Sequence, residues 1–176
     1  MGRQVNFKIG IIGCGLIGYK RAKSLGPKGK LIACADPNIN QAKRIVRNKK
    51  VKIFTNWKKL LEIKEIDIVI ISTPHNQLSK ILLHAYKKKK HVLVEKPGAK
   101  NLKEISKVIS KVNNNKIKIR VGFNHRYHPS IIKARKIIKS GVIGKPMYLR
   151  GRYGHGGRLR YEKEWRAKPS ISGGGE

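Results

Sequence analysis

Acidic residues are the scarcest functional class in this sequence: 9 Asp and Glu stand against 42 Lys and Arg, leaving a formal charge of +33 over 176 residues. A field of that sign draws in any polyanion. Aromatics are few as well, with 3 Phe, 2 Trp and 6 Tyr to stack on bases, and the lysines are spread along every predicted helix. There is no zinc-finger spacing, RNP-type aromatic strand or long basic arm, which excludes specific nucleic-acid recognition and leaves weak, salt-dependent polyanion association as the expectation. The densest run, Lys87-Lys88-Lys89-Lys90, falls at a predicted helix C-terminus, where cations suit the helix dipole and are expected to stay solvated. Cysteine occurs only as Cys14 and Cys34, too few for a disulfide framework and wrongly spaced for a metal pair. The pair suits small buried residues of a reduced, cytoplasmic protein, and no metal site is expected. Long apolar runs are also missing: nothing reaches the roughly 18 residues a membrane helix needs. The stretch Ile9–Ile17 is broken by three glycines and lacks the cleavage site of a signal peptide.

What the chain does have is alternation. Short blocks of Ile, Val and Leu are separated by Lys-rich amphipathic segments. Strands are predicted at Val5–Ile12, Leu31–Ala35, Val51–Phe54, Ile66–Ile71, His91–Glu95 and Ile117–Gly122. Helices are predicted between them at Gly15–Leu25, Asn38–Arg47, Asn56–Glu62, Asn76–Lys89 and Leu102–Val112. The run Ile66-Asp67-Ile68-Val69-Ile70-Ile71 reads as a central strand covered on both faces. Strand and helix in strict succession predict an α/β, doubly wound parallel sheet. After Gly122 the pattern changes to a helix Ser130–Lys139, a stop at Ser140-Gly141 and a strand Pro146–Arg152. The expected organisation is a nucleotide-binding domain over 1–122, then the beginning of a second, incomplete α/β domain over 123–176.

Gly13-Cys14-Gly15-Leu16-Ile17-Gly18 is a G-x-G-x-x-G between a predicted strand and a predicted helix. Its glycines have separate tasks: a tight turn, close approach of backbone to a pyrophosphate, and close packing of helix on strand. The helix N-terminus that follows offers free N–H groups to phosphates. Asp36 ends the next strand, where a carboxylate can accept hydrogen bonds from an adenosine ribose. The same residues also suit a plain turn with Asp36 capping the next helix. Strand, turn, helix, strand and acid in order favour the Rossmann dinucleotide site. Asp36 favours NAD over NADP, because a 2′-phosphate would meet its charge; Lys43 and Arg44, slightly further on, soften that preference.

Two further turns follow strands: Ser72-Thr73-Pro74, then Glu95-Lys96-Pro97 within His91-Val92-Leu93-Val94-Glu95-Lys96-Pro97. With Gly122-Phe123-Asn124-His125-Arg126-Tyr127-His128-Pro129, this ordered set resembles the Gfo/Idh/MocA oxidoreductases, and the resemblance runs to the end of the chain. It implies a nicotinamide cofactor contacted by Gly13, Gly15, Leu16, Ile17, Gly18, Asp36, Ser72, Thr73, Pro74, His75, Glu95, Lys96 and Pro97. It implies that Lys96 is catalytic, orienting the substrate hydroxyl and taking part in proton transfer, with partial burial lowering its pKa. It also implies that the peptide before Pro97 is cis. Many members place a His four or five residues after the Thr-Pro; here His75 follows Pro74 directly, and a helix-capping surface role for it stays open.

Arg126, His128, Tyr153, His155, Arg158, Trp165 and Arg166 form a polar and aromatic set suited to a hydroxylated or anionic substrate, because arginines grip anions and aromatics stack on sugar faces. With Lys96, the residues Arg126, His128, His155, Trp165 and Arg166 are the expected substrate contacts. The implied function is an NAD-dependent oxidoreductase moving a hydride between the nicotinamide and a sugar or nucleotide-sugar, homo-oligomeric in its full-length form. The family's Asp and His follow a Gly-rich stretch, whereas this sequence reaches Gly173-Gly174-Gly175-Glu176 without them. A truncated, catalytically silent nucleotide-binding remnant is therefore the alternative expectation.

Overall fold

The computed structural model describes residues 6–46, 50–113, 116–152, 154 and 159–174. Six strands, β1 (Phe7–Ile12), β2 (Gly29–Ala35), β3 (Lys52–Phe54), β4 (Ile68–Ile71), β5 (His91–Val94) and β6 (Ile119–Val121), form one sheet in the order β3-β2-β1-β4-β5-β6. Every neighbouring pair is parallel. Between them run α1 (Leu16–Lys23), α2 (Ile39–Ile45), α3 (Trp57–Leu61), α4 (His75–Lys87) and α5 (Leu102–Lys111). Asn38, Asn56 and Asn101 begin α2, α3 and α5 by accepting a backbone N–H with the side-chain oxygen, at 3.0, 2.9 and 3.0 Å.

The two-residue period of the strands divides the core. Ile12, Ala33, Ala35, Val69, Ile71, Val92 and Val94 face one side, where Leu60, Leu61, Leu78, Ile81 and Leu82 cover them. Ile9, Ile11, Cys34 and Ile70 face the other, against Ala42 and Ile45. Strands clad on both faces need no polar alternation, which is why they read as continuous apolar runs.

The Lys87–Lys90 run does not stay wholly in water. Lys90 is 6% exposed, and its Nζ donates to the carbonyls of Ile63 and Lys64, both at 2.8 Å. Burial pushes its ammonium below the usual lysine range, against the opposing pull of Asp67 and Glu65. A cation is tolerated there because two carbonyls receive its protons, that of Ile63 alongside the N–H of Ile66.

Beyond the sheet come a 3-10 turn at Asn124–Tyr127, helix α6 (Pro129–Lys139), short turns at Tyr161–Lys163 and Trp165–Ala167, and α7 (Pro169–Ser172). The strand expected at Pro146–Arg152 is not formed: these residues have no strand pairing, and Met147, Tyr148 and Leu149 are 97%, 83% and 80% exposed. Apolar and aromatic composition marks a segment fit for a sheet, but without a neighbouring strand its N–H and C=O groups have no ladder to join.

Candidate functional site

The strand order reverses between β1 and β4, so their following loops diverge and open a crevice at the carboxyl ends of the strands. The cleft there measures about 740 Å³. Gly13, Gly15, Leu16 and Ile17 form one wall, Ser72, Thr73, Pro74 and His75 a second, and Asp36 lies at the end of β2. Glu95 and Lys96 reach it from β5, and Trp165 and Arg166 from the distant chain.

The glycines of the loop divide by what surrounds them. Gly13 has φ +87°, and a Cβ there would lie 2.6 Å from the carbonyl of Ser72. A Cβ on Gly18 would lie 2.0 Å from Gly13 O, so it permits the contact between α1 and the turn. Gly15 differs: the one atom near its hypothetical Cβ is Gln41 Oε1, at 3.3 Å, the end of a flexible side chain. Protein packing therefore requires Gly13 and Gly18, whereas the open flank of Gly15 faces the cleft.

Hydrogen bonds fix the loop from below. Gly13 N–H donates to Ala35 O at 2.9 Å, and Ser72 Oγ donates to Gly13 O at 2.7 Å. Asp36 accepts from Cys14 N–H through Oδ2 at 2.7 Å and from Asn38 N–H through Oδ1 at 2.8 Å. The carboxylate is thereby oriented, with lone pairs left for a ligand. Cys14 and Cys34 are buried free thiols beneath this loop. The proximity of Cys34, with burial, pushes the Cys14 thiol up, and Cys14 in turn holds Cys34 down. On the other side, Glu95 pairs with Arg21 of α1 at 2.5 Å, tying β5 to the first helix.

Lys96 lines the cleft and is exposed, not partly buried as expected. The Lys96–Pro97 peptide is cis, and Pro97 itself is not among the lining residues. His75 is buried rather than on the surface. Its Nδ1 lies 2.9 Å from Ser172 O, and its ring meets Trp165 edge-on at 4.7 Å. This contact brings Trp165 and Arg166 to the cleft. Arg126 and His128 are exposed and do not line it; the His128 ring accepts from Ser130 N–H and begins α6. Tyr153, His155 and Arg158 lie outside the described residues. Thr55, Trp57, Gln41 and Gln77 line the cleft and were missed. Thr55 and Trp57 follow β3, and the rule that ligands gather where parallel strands end could have found them. Among the described residues no group of three or more His, Cys, Asp or Glu is placed to hold a metal, and no helix is long and apolar enough to cross a membrane.

The residues fit a dinucleotide. Gly15 leaves backbone open to a pyrophosphate, and Asp36 presents an oriented carboxylate. The buried Thr73 Oγ1 lines the same cleft without a hydrogen-bond partner in the protein, a position that a ligand's polar group can satisfy. The family model described as oxidoreductase family, NAD-binding Rossmann fold, matches residues 7–123. The chain belongs to this Gfo/Idh/MocA family. Scyllo-inositol 2-dehydrogenase (NAD(+)) of Bacillus subtilis strain 168 is 32% identical over 145 residues, 80% of this chain and 42% of that one. Levoglucosan dehydrogenase of Pseudarthrobacter phenanthrenivorans is 29% identical, over 97% of this chain and 47% of that one. Among solved structures, myo-inositol dehydrogenase from Lactobacillus casei, in complex with NAD(H) and myo-inositol, superposes with a TM-score of 0.76 at 26% identity, covering 81% of this chain and 44% of that one. A levoglucosan dehydrogenase complex with NADH gives 0.80 at 25% identity, covering 97% and 49%. The chain thus spans less than half the length of these relatives.

Proposed function

We propose that the chain is the cofactor-binding part of an NAD-dependent dehydrogenase that oxidises a ring hydroxyl of a sugar or cyclic polyol, with residues 1–122 holding the dinucleotide and 123–176 beginning the substrate side. The observation that carries this reading is the convergence of Gly15, Asp36, Thr73 and Lys96 on one cleft at the reversal of strand order. The loop holds the pyrophosphate, Asp36 the adenosine ribose, and Thr73 a polar group of the nicotinamide half. A bound nicotinamide supplies the hydride acceptor. Lys96, at the carboxyl end of β5, orients the substrate hydroxyl by hydrogen bonding, and takes part in its proton transfer only as the neutral amine. The relatives named for inositols and levoglucosan support the substrate class.

Hydride transfer also needs the substrate carbon held close to the ring. Lys96, Trp165 and Arg166 line the cleft, whereas Arg126 and His128 do not. Among the described residues that wall is one-sided, which favours cofactor binding without turnover by these residues alone. Calorimetry with NAD and a coupled assay with myo-inositol, scyllo-inositol and levoglucosan test both halves. The expected result is NAD binding that weakens at least about tenfold in Asp36→Ala, the loss of one charge-assisted contact, with negligible NADH formation. Fusion to a relative's C-terminal half is expected to bring sugar-dependent NADH formation that Lys96→Ala removes. Rapid turnover by the chain alone, indifferent to Lys96→Ala, would contradict the role given to Lys96.

A further inference from the structure

Cys14 and Cys34 are the only cysteines in the chain, and the function proposed above uses the side chain of neither. Both are buried, 3% and 0% exposed, in the apolar cluster that also holds Ile11, Ala42 and Ile45. Cys34 stands on β2 opposite Ile11 of β1, and Cys14 follows β1 after the turn at Gly13. Cys14 Sγ donates to Ala35 O at 3.6 Å and Cys34 Sγ to Ala42 O at 3.8 Å, which places both sulfurs toward the carboxyl end of β2. Each lies near enough to shift the other's hold on its proton.

A buried thiol is ordinarily inert. Here there is an opening as well as a second thiol. A recess of about 440 Å³ lies beside the cleft, and Cys14 lines it with Tyr19, Asn40 and Arg44, whereas Cys34 does not. A small oxidant therefore reaches Cys14 directly and Cys34 only through Cys14. The Arg44 guanidinium carbon, 5.9 Å from the centre of the Tyr19 ring, keeps a cation at this opening, where it favours the thiolate that reacts. Asp36 works against ionisation of both sulfurs, so the pair suits a slow response better than a rapid catalytic cycle.

We propose that Cys14 and Cys34 are a site of reversible oxidation by hydrogen peroxide, and that their disulfide lowers the affinity of the cleft for a dinucleotide. The second half rests on the cofactor reading above; the first does not. Cys14 attacks a peroxide oxygen as the thiolate and becomes a sulfenic acid, while the other oxygen leaves with the Cys14 proton as water. The Cys34 thiolate then attacks the sulfenic sulfur: the S–S bond forms, the S–O bond breaks, and the departing hydroxide takes the Cys34 proton as a second water. A disulfide holds its sulfurs about 2 Å apart, closer than two thiols pack, so the Cys14 turn must move toward β2. That movement ends the contact of Cys14 Sγ with Ala35 O and pulls on the Cys14 N–H that orients Asp36. Gly15, the next residue, moves with it. The coupling is reciprocal, so a bound dinucleotide that holds the turn also opposes the bond.

The test exposes the full chain to hydrogen peroxide with and without NAD, then blocks free thiols, maps tryptic peptides without reductant and titrates the product with NAD. The expected result is a bond joining peptides Ile9–Lys20 and Leu31–Lys43 of one chain, with NAD affinity at least about tenfold weaker and recovered in dithiothreitol. Recovery separates the disulfide from oxidation of the exposed Met147, which dithiothreitol does not reverse. NAD at about ten times its Kd is expected to slow formation of the bond about tenfold. Cys34→Ala, at a position outside the cleft, is expected to bind NAD within about twofold of the unmodified chain and to leave Cys14 as a sulfenic acid that dimedone traps. Thiols that stay reduced, a bond between two chains, or irreversible acid at Cys14 with no bond to Cys34 would overturn the site. A bond that forms with NAD affinity unchanged overturns its hold on the cofactor. A bond that forms in a chain whose reduced state does not bind NAD overturns the cofactor reading and leaves only the oxidation site standing.

Discussion

Helices α4 and α6 carry the same amphipathic code and meet different fates. In α4, Leu78, Ile81, Leu82 and Ala85 are almost wholly buried against the sheet. In α6, Ile131, Ile132 and Ile138 remain 45%, 41% and 39% exposed, and no residue is buried. An apolar stripe states that a helix will pack, but a neighbouring surface decides whether it does. The sheet provides that surface for α4. Residues near 170 find one too, through Ser172 and His75 on α4, and so bring Trp165 and Arg166 to the cleft. Two segments following the sheet thus differ in kind: α6 and the extended stretch after it stand clear, while the later turns are fastened to the nucleotide side.

The largest break in this comparison comes from the turn that the sheet depends on. Gly18→Ala puts a Cβ 2.0 Å from Gly13 O and 3.0 Å from both Gly13 C and Ser72 Oγ, and the nearest of these is backbone that cannot swing aside. The expected cost is on the order of 3 kcal/mol or more, read as a lowered midpoint in urea. A midpoint equal to that of the unmodified chain would show that α1 does not rest on the turn as described.

A paired truncation sharpens the contrast between the helices. Leu78→Ala is expected to cost about 2–5 kcal/mol, because its side chain is wholly enclosed. Ile132→Ala is expected to shift stability by less than about 0.5 kcal/mol, as exposed positions do. Equal losses at the two sites would mean that α6 is packed in solution.

A smaller effect is expected at Lys90. Replacement by Met keeps the aliphatic stem but removes the ammonium that donates to the carbonyls of Ile63 and Lys64, for a loss of about 1–2 kcal/mol in thermal unfolding. Lys89→Met, one residue away and exposed, is the control and is expected to be neutral. A Lys90→Met protein as stable as the control would place that ammonium in water.

Much of the sheet and the loop was legible because local pattern carried the physics. Apolar runs marked strands covered on both faces, and the glycine spacing with Asp36 marked the corner where the cleft opens. The remainder depended on contacts between distant positions. Lys90 looked identical to its neighbours, since nothing local records that two carbonyls await it. The contact between His75 and Ser172 joins residues 97 apart in sequence, so the arrival of Trp165 and Arg166 at the cleft was readable only as composition. Met147–Leu149 had the residues of a strand, and whether a partner strand lay beside it was a fact about the fold. Arg126 and His128 stood in a motif whose family role implied substrate contact, yet the exposed turn carries them away from the cleft.

The division among the three glycines gives the most direct test of the cofactor site. Gly15 is flanked by one flexible side-chain atom and otherwise by the cleft, and its φ of −64° suits any residue. The measurement is NADH titration, followed by fluorescence, of the unmodified chain and of Gly15→Ala, with urea unfolding of both. If the backbone at Gly15 lies against a pyrophosphate, the variant unfolds within about 0.5 kcal/mol of the unmodified chain and binds NADH at least about tenfold more weakly. Undiminished NADH affinity in a stable Gly15→Ala protein would contradict the placement of the dinucleotide in this cleft.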